Sequence, residues 1–344
     1  MQNPLSADLH HILNHTRDLW EGLRGTRIFI TGGTGFFGCW LLESFLFANQ
    51  QLDLKASASV LTRRPDYVKQ TLPHLMLDSA VTLHQGNMRN FEFPKGEYSH
   101  IIHAATETDP QLEIIDPLDK FTSNMEGTRR ILDFALASGA SKFLFTSSGA
   151  VYGKQPSNMT HIPESYLGAP ETNDLSTAYG QSKRASEFLC TAYAQKYGLQ
   201  AVIARCFAFV GPRLPLDSNF AIGNFIRDAL RGTSIQISGD GTPYRSYLYA
   251  ADLAIWLWTI LFKGQPIYSY NVGSENDLTI AQLASVVVKE LSPSATINIA
   301  TQPVFQQPIS RYVPSTQRAK QELKLETWIP LAEAIRRTAD FYKG

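Results

Sequence analysis

Residues 29–45 read FITGGTGFFGCWLLESF. Three glycines, Gly32, Gly35 and Gly38, recur at three-residue intervals between a short β-type run ending at Thr31 and an apolar run that begins at Phe36. A glycine pattern points to dinucleotide binding only where it closes a strand and opens a helix, and this stretch meets that condition. Gly32 permits the tight turn, a side chain at Gly35 would block the approach of a pyrophosphate, and Gly38 lets the helix pack on the strand. The phosphate charge would be met by unpaired N–H groups and the positive end of the helix.

Outward from this turn, six runs read as strands: RIFIT, SASVLT, VTLHQG, SHIIHAA, KFLFTSS and AVIARCFAFVG. Helical periodicity fills residues 36–49, 118–138 and 178–197. Near-continuous apolar strands alternating with helices predict an α/β fold, a doubly wound parallel sheet of the Rossmann type over residues 26–210. Residues 1–25, with spaced leucines, predict an N-terminal capping helix. After Gly211 the rhythm changes to short mixed segments rich in Gly and Pro, which predicts a smaller mixed α/β C-terminal domain over 211–344, mainly substrate-binding, with segments crossing back.

Composition narrows the partners. The 344 residues hold 31 Lys+Arg and 31 Asp+Glu, with no long run of one sign. The chain is therefore expected to bind a small molecule, with no nucleic acid or membrane partner. Three cysteines, Cys39, Cys190 and Cys206, match neither a metal site nor a disulfide framework and read as buried thiols. No secretory pattern opens the sequence, and the longest apolar run, Leu253 to Phe262, is half of the roughly 20 residues a membrane span needs. A cytoplasmic location and no metal are the expectations.

The choice between nicotinamide cofactors turns on the end of the second strand, where an acid would pair with a ribose 2′-hydroxyl. Here the sequence reads VLTRRPD, with Arg63 and Arg64 in place of an acid. Guanidinium groups suit a 2′-phosphate, so NADP is the first choice and NAD the alternative. The two arginines also fit ordinary solvated loop charges.

The chemistry is expected further on. Tyr179 and Lys183, four apart on a predicted helix, share a face. An ammonium beside a phenol favours the phenolate, so Tyr179 can exchange a proton with an alcohol as a hydride moves. Lys183 would also hold the nicotinamide ribose, and Ser148, at a strand end, can hydrogen-bond the reacting oxygen. His103, alone at a strand end, reads as a packed structural residue because the Tyr–Lys pair already supplies acid and base.

Taken together these residues identify a resemblance to the extended short-chain dehydrogenase/reductases, in particular the NAD(P)-dependent nucleotide-sugar epimerase/dehydratase group. It runs from about Arg27 to the C-terminus through TGGTGFFG, GNMRNF, HAA, NMEGT, SSGAVYG, YGQSK, GPR, GDGTPYRSYLYAADLA and YNVGSENDLTI. What it implies is hydride transfer on a sugar linked to a nucleoside diphosphate, held beside the smaller domain. Ser148, Tyr179 and Lys183 would be the catalytic set, with Asn124 ordering the site. Phe36 and Phe37 in the turn, Asn87 and Met88 in GNMRNF, and Ala104 and Ala105 in HAA would add cofactor contacts. Arg245 and Arg311 look like the pair that grips the substrate pyrophosphate, with Arg213 of GPR also on the substrate side. A homodimer paired through the helices over 118–138 and 178–197 is the family expectation.

Departures from the pattern narrow the reaction. Dehydratases of the group carry an Asp–Glu pair where this chain has Gly149 and Ala150, and sugar-acid decarboxylases carry a glutamate where Ala150 stands. What remains needs only oxidation and reduction at one carbon, C4: a 4-epimerase or a 4-keto reductase. The alternatives are a dehydratase-like enzyme with a non-standard acid/base set and a non-catalytic NAD(P)-binding sensor. Ala208 stands where an asparagine is common before GPR, which bears on substrate identity. Asn87 replaces an aspartate, and its amide oxygen can still accept from an adenine amine. The Pro- and Ser-rich segment 154–176 fits either a lid over the sugar or an ordinary surface loop.

Overall fold

The computed structural model describes residues 3–106, 116–218, 220–303 and 309–343. The chain divides into two compact units, one of Met1–Gly153, Leu167–Cys206 and Ala254–Tyr270, the other of Lys154–Tyr166, Phe207–Leu253 and Asn271–Gly344.

The first unit is built on strands β1 (Arg27–Thr31), β2 (Ser57–Thr62), β3 (Val81–Gln85), β4 (His100–His103), β5 (Lys142–Ser148) and β6 (Gln200–Cys206). With β11 (Ser269–Val272) they form a seven-stranded sheet in the order β11-β6-β5-β4-β1-β2-β3, and the pairings from β6 to β3 run parallel. Strand β1 has β2 on one side and β4 on the other. The order of the strands therefore reverses at β1, and in an open α/β sheet ligands bind beyond the C-terminal strand ends at that reversal. The glycine turn occupies that position.

Helices α1 (Ser6–Thr16), α2 (Phe36–Gln51), α3 (Pro65–Thr71), α4 (Pro73–Met76), α5 (Pro117–Ala137) and α6 (Ala178–Tyr197) belong to the same unit. Residues Ile28, Phe29 and Ile30 of β1 are wholly buried, as a strand covered on both faces requires. Phe29 packs with Phe134 at 4.7 Å, Tyr98 at 5.6 Å and Phe91 at 5.7 Å between ring centroids. Elsewhere in the unit Trp20 lies 4.7 Å from Trp258, whose indole N–H donates to Ser44 at 2.9 Å. Both indoles are fully buried, and the burial of each stabilises by about 2–3 kcal/mol. The N-terminal segment is thus pinned by Trp20, which follows α1 in a 3₁₀ stretch over Arg17–Leu23.

The second unit holds β7 (Phe209–Val210) beside β10 (Leu248–Tyr249), β8 (Ile235–Ile237) beside β13 (Ile297–Ile299), and a three-stranded sheet in which β9 (Tyr244–Ser246) lies between β12 (Asp277–Thr279) and β14 (Arg311–Tyr312). Its helices are α7 (Ala221–Leu230), α9 (Ile280–Leu291), α10 (Gln317–Leu323) and α11 (Leu331–Lys343). Thr279 and Gln282 close a reciprocal capping box that starts α9.

One strand boundary differs from the sequence expectation. The apolar run 201–211 is two strands, because β6 ends at Cys206 and β7 pairs with β10 in the second unit. The division falls at 206/207, and it also cuts α8 (Ala250–Lys263), whose residues from Ala254 return to the first unit. Residues 154–166 belong to the second unit, well before residue 211. Among the described residues no helix is long and apolar enough to cross a membrane; Leu253–Leu261 is the buried body of α8, with Phe262 half-buried at its end.

Candidate active site

The glycine turn is fixed by close approaches. Gly32 has φ +70°, and a Cβ there would lie 2.6 Å from the Ala104 backbone. A Cβ on Gly38 would meet the Gly32 carbonyl oxygen at 2.1 Å, and one on Gly33 would meet Val60 at 2.7 Å. Gly35 differs from these. A Cβ there meets only the Gly32 oxygen at 3.5 Å, an ordinary contact, and the residue is exposed. Protein packing does not demand glycine at 35, whereas an incoming phosphate does. Helix α2 starts at Phe36 with no side-chain cap, so its first N–H groups are left to a ligand or water. These observations fit a dinucleotide at this turn.

The neighbouring strand ends supply the rest of that pocket. Ala104 and Ala105 follow β4 and donate to the Thr31 carbonyl at 3.1 Å and the Thr31 hydroxyl at 3.2 Å. Arg63 and Arg64 are exposed at the C-terminal end of β2, with Arg64 5.9 Å from the Tyr67 ring. Asn87 follows β3, and its amide oxygen accepts from the Arg89 N–H at 3.0 Å. Met88 is buried against Gly127 of α5, where a Cβ would come within 2.7 Å of it. Phe36 and Phe37 are half-buried, 5.9 Å apart.

Ser148, Tyr179, Lys183 and Asn124 come together in the first unit. Ser148 ends β5 in an extended conformation; its Oγ accepts from the Ala150 N–H at 3.1 Å, and its hydroxyl hydrogen-bonds the Tyr179 phenol. Gly180 allows this approach, since a Cβ there would stand 2.6 Å from the Ala150 carbonyl oxygen. Lys183 is buried, donates to the Thr146 carbonyl at 2.9 Å and lies 5.8 Å from the Tyr179 ring centroid. Asn124 donates to the Ser182 hydroxyl at 3.2 Å and accepts from Thr106 at 3.1 Å; Ser182 in turn donates to the Tyr179 carbonyl at 2.8 Å.

The electrostatics correct one expectation. Burial pushes the Tyr179 phenol up to about 12, opposed by the Ser148 hydrogen bond, and burial pushes the Lys183 ammonium down to about 8. The net direction for the phenol is upward, where the sequence led to the expectation of a lowering by the neighbouring ammonium. The Lys183 ammonium is turned to the Thr146 carbonyl, and desolvation penalises both charged forms. His103 is buried between Thr31 at 2.7 Å and Thr128 at 3.1 Å, and burial holds its imidazole neutral, down to about 3. It is a structural residue.

In the second unit Arg245 and Arg311 stand on adjacent strands of one small sheet. Arg245 is in register with Tyr312, and Arg311 with Tyr244, so the pleat sends the two side chains to alternate faces. Arg311 is ion-paired with Asp277 at 2.5 Å and stacked on the Tyr244 ring at 3.8 Å, while Arg245 donates to the Tyr244 carbonyl at 2.7 Å. A convergent pair is not formed in this state. Arg213 has φ +71° and lies 5.7 Å from the Phe341 ring.

The segment 154–176 is not one lid. Its first half is stitched into the second unit: Ile162 accepts from the Ser315 N–H at 2.9 Å, Gln155 accepts from Val313 at 3.0 Å, and Glu164 accepts from Asn271 at 2.9 Å. The three cysteines are buried and none is in a disulfide, and among the described residues no cluster of His, Cys, Asp or Glu could hold a metal ion. Gly180, Ser182 and Glu187 carry structure that sequence reading passed over; the spacing YGQSKRASE contains all three but names no partner for them.

A Rossmann sheet with its glycine turn at the strand reversal, and with Ser148, Tyr179 and Lys183 gathered by β5 and α6, is the frame of an extended short-chain dehydrogenase/reductase. The NAD dependent epimerase/dehydratase family model matches residues 28–273, and the chain belongs to that family of nucleotide-sugar enzymes. Similar relatives from Arabidopsis thaliana include UDP-glucuronic acid decarboxylase 5, 29% identical over 90% of this chain and 87% of the relative, and UDP-glucuronic acid decarboxylase 1, 30% identical over 93% and 71%. Among solved structures, the dTDP-glucose 4,6-dehydratase of Streptomyces venezuelae with NAD and TYD bound aligns with TM-score 0.76 at 23% identity, covering 92% of this chain and 97% of that one. The UDP-glucose 4-epimerase of Thermotoga maritima with UDP-glucose aligns with TM-score 0.74 at 20% identity, covering 92% and 98%.

Proposed function

We propose that the chain oxidises and reduces C4 of a nucleoside-diphosphate sugar, as a 4-epimerase or 4-keto reductase. The observation that carries this reading is the Ser148–Tyr179 hydrogen bond above a buried Lys183, beside Gly149 and Ala150, which offer no carboxylate. Ser148 would donate to the C4 oxygen while Tyr179 takes the C4 hydroxyl proton at its phenolic oxygen. The nicotinamide cofactor, when bound, supplies the hydride acceptor and, oxidised, a positive charge that favours the phenolate. Arg245, Arg311 and Arg213 are assigned to the substrate pyrophosphate on the chemistry of the guanidinium fork, and binding would exchange the Asp277 carboxylate for phosphate oxygens at Arg311.

NADP is the proposed cofactor because Arg63 and Arg64 stand at the β2 end; NAD is the alternative. A dimer is proposed through α5 and α6, whose groove is lined by Phe121, Met125, Ala185, Phe188 and Leu189 together with Gln181 and Arg184, with Phe188 72% exposed. The relatives' names favour a second reading, decarboxylation of UDP-glucuronic acid. Oxidation at C4 makes its C6 carboxylate part of a β-keto acid, which loses CO2 to an enolate that is protonated at C5 and reduced at C4. A panel of UDP-glucose, UDP-galactose, UDP-glucuronic acid and dTDP-glucose, each with NADP or NAD in both oxidation states, separates the readings. C4 inversion, or oxidation of the C4 hydroxyl coupled to reduction of the oxidised cofactor, supports the proposal; CO2 release from UDP-glucuronic acid supports the second reading; cofactor binding without turnover of any sugar supports the sensor.

A further inference from the structure

One buried carboxylate ties together every element that presents the Ser–Tyr–Lys set. Glu187 lies on α6, four residues beyond Lys183 and eight beyond Tyr179, with its side chain 9% exposed. Its Oε1 accepts from the Ser147 hydroxyl at 2.6 Å and from Arg205 Nε at 3.0 Å, and its Oε2 accepts from Arg205 Nη2 at 2.6 Å. Ser147 immediately precedes Ser148 on β5, and Arg205 comes from β6. Arg205 also donates from Nη1 to the Tyr152 hydroxyl at 2.9 Å, and Tyr152 closes the 3₁₀ turn that Ser148 caps. A buried ion pair of this kind is weak evidence for stability, since desolvation opposes it, so its retention beside the site calls for another account.

We infer that Glu187 is the positioning residue of the active site: through Ser147 and Arg205 it locks α6, β5 and β6 in one register. The inference rests on the C4 reading for its kinetic arm only. Around Lys183 the facing groups are Glu187 and Cys190 on its own helix, Tyr179 on the preceding turn, Cys206 on β6 and His103 on β4. Glu187 is the carboxylate among them.

The test compares wild type with Glu187→Gln, which keeps an acceptor for Ser147 and removes the charge, and with Ser147→Ala, which cuts only the link to β5. The Lys183 titration is followed by ¹⁵Nζ NMR of the full chain without substrate, assigned through Lys183→Arg. Turnover is followed with whichever nucleotide sugar of the four-member panel wild type converts fastest. In Glu187→Gln the Lys183 midpoint falls by about half a unit or more, and kcat falls by about 10- to 100-fold while KM and cofactor affinity change by less than about threefold. Ser147→Ala lowers kcat by about threefold to tenfold with the Lys183 midpoint unmoved. If Glu187→Gln strands the Arg205 charge and does not fold, the neutral pair Glu187→Gln with Arg205→Gln is read in its place against the same expectations. A folded variant with an unmoved Lys183 midpoint and wild-type kcat overturns the inference. That outcome leaves hydride transfer from C4 to the cofactor intact in wild type, whereas failure of the C4 reading shows as product formed by wild type with no hydride reaching the cofactor, whatever the Glu187 variants do.

Discussion

The glycine turn after β1 and the arginine sheet β12-β9-β14 are both proposed to meet phosphate, and they are built in opposite ways. In the turn, backbone fills the space: Gly38 admits no Cβ, Gly32 needs a positive φ, and Gly35 alone is left open. In the sheet, long side chains fill it, and Arg311 is held by Asp277 and the Tyr244 ring. The first arrangement is preorganised before a ligand arrives. The second must exchange partners when one binds, so its contribution is discounted by the contacts it gives up. The lesson is that a phosphate site made of backbone is fixed by fold stability, whereas one made of arginines is set by competition.

The largest effect that separates the two regions is expected at Gly38. Gly38→Val forces two backbone atoms apart at the base of α2, and thermal denaturation should show a loss of about 3 kcal/mol or more together with loss of cofactor binding. A stable variant that binds cofactor normally would break the claim that the turn is fixed by packing. Gly35→Val, by contrast, should leave the melting temperature within a few degrees and still remove most cofactor affinity, seen as loss of NADPH fluorescence enhancement. In the arginine sheet, Arg311→Ala should raise KM for the nucleotide sugar by about 10- to 100-fold with a smaller change in kcat. Asp277→Asn frees the guanidinium and should raise KM less or lower it; an increase equal to that of Arg311→Ala would mean the ion pair is part of the bound site.

Smaller effects sharpen the comparison within the first unit. His103 has a folded-state pKa near 3 against 6.5 for an unperturbed imidazole, so the unfolded chain binds a proton that the folded chain refuses between those values. Stability is therefore complete above about pH 6.5 and falls as the pH is lowered towards 3. His103→Gln should flatten that acid slope in urea titrations while leaving activity at neutral pH within about fivefold; an unchanged slope would assign the acid sensitivity elsewhere. The smallest expected effect is at the β2 end. Arg63→Ala combined with Arg64→Ala should weaken NADPH by about tenfold and NADH by less than twofold, because both side chains are exposed and screened. Equal losses would remove the 2′-phosphate assignment.

Much of the first unit was legible because its constraints are local. The strands RIFIT, SASVLT and KFLFTSS and the helix over 178–197 occur at those residues, since burial on both faces enforces unbroken apolar runs and i, i+4 spacing. The break of 201–211 into β6 and β7 was not legible, because it depends on pairing with β10, about 40 residues away in sequence. In the same way Tyr179 and Lys183 could be placed on one face from spacing alone, but their protonation could not. The desolvation that moves both pKa values comes from burial in the folded chain, and the Thr146 carbonyl that holds the ammonium has no signature in the sequence. The alternate facing of Arg245 and Arg311 likewise follows from strand register, which two short segments far apart in sequence do not announce.

The central claim is that C4 of the sugar loses its hydride while Tyr179 takes the hydroxyl proton. Incubation of the wild-type chain with C4-deuterated UDP-glucose, UDP-galactose, UDP-glucuronic acid and dTDP-glucose, followed by mass spectrometry of the cofactor and product, tests it most directly. Deuterium found on the nicotinamide with wild type and at least about 100-fold less with Tyr179→Phe is the predicted result. Product formed with deuterium never leaving C4, or equal transfer in the Tyr179→Phe variant, would contradict the account.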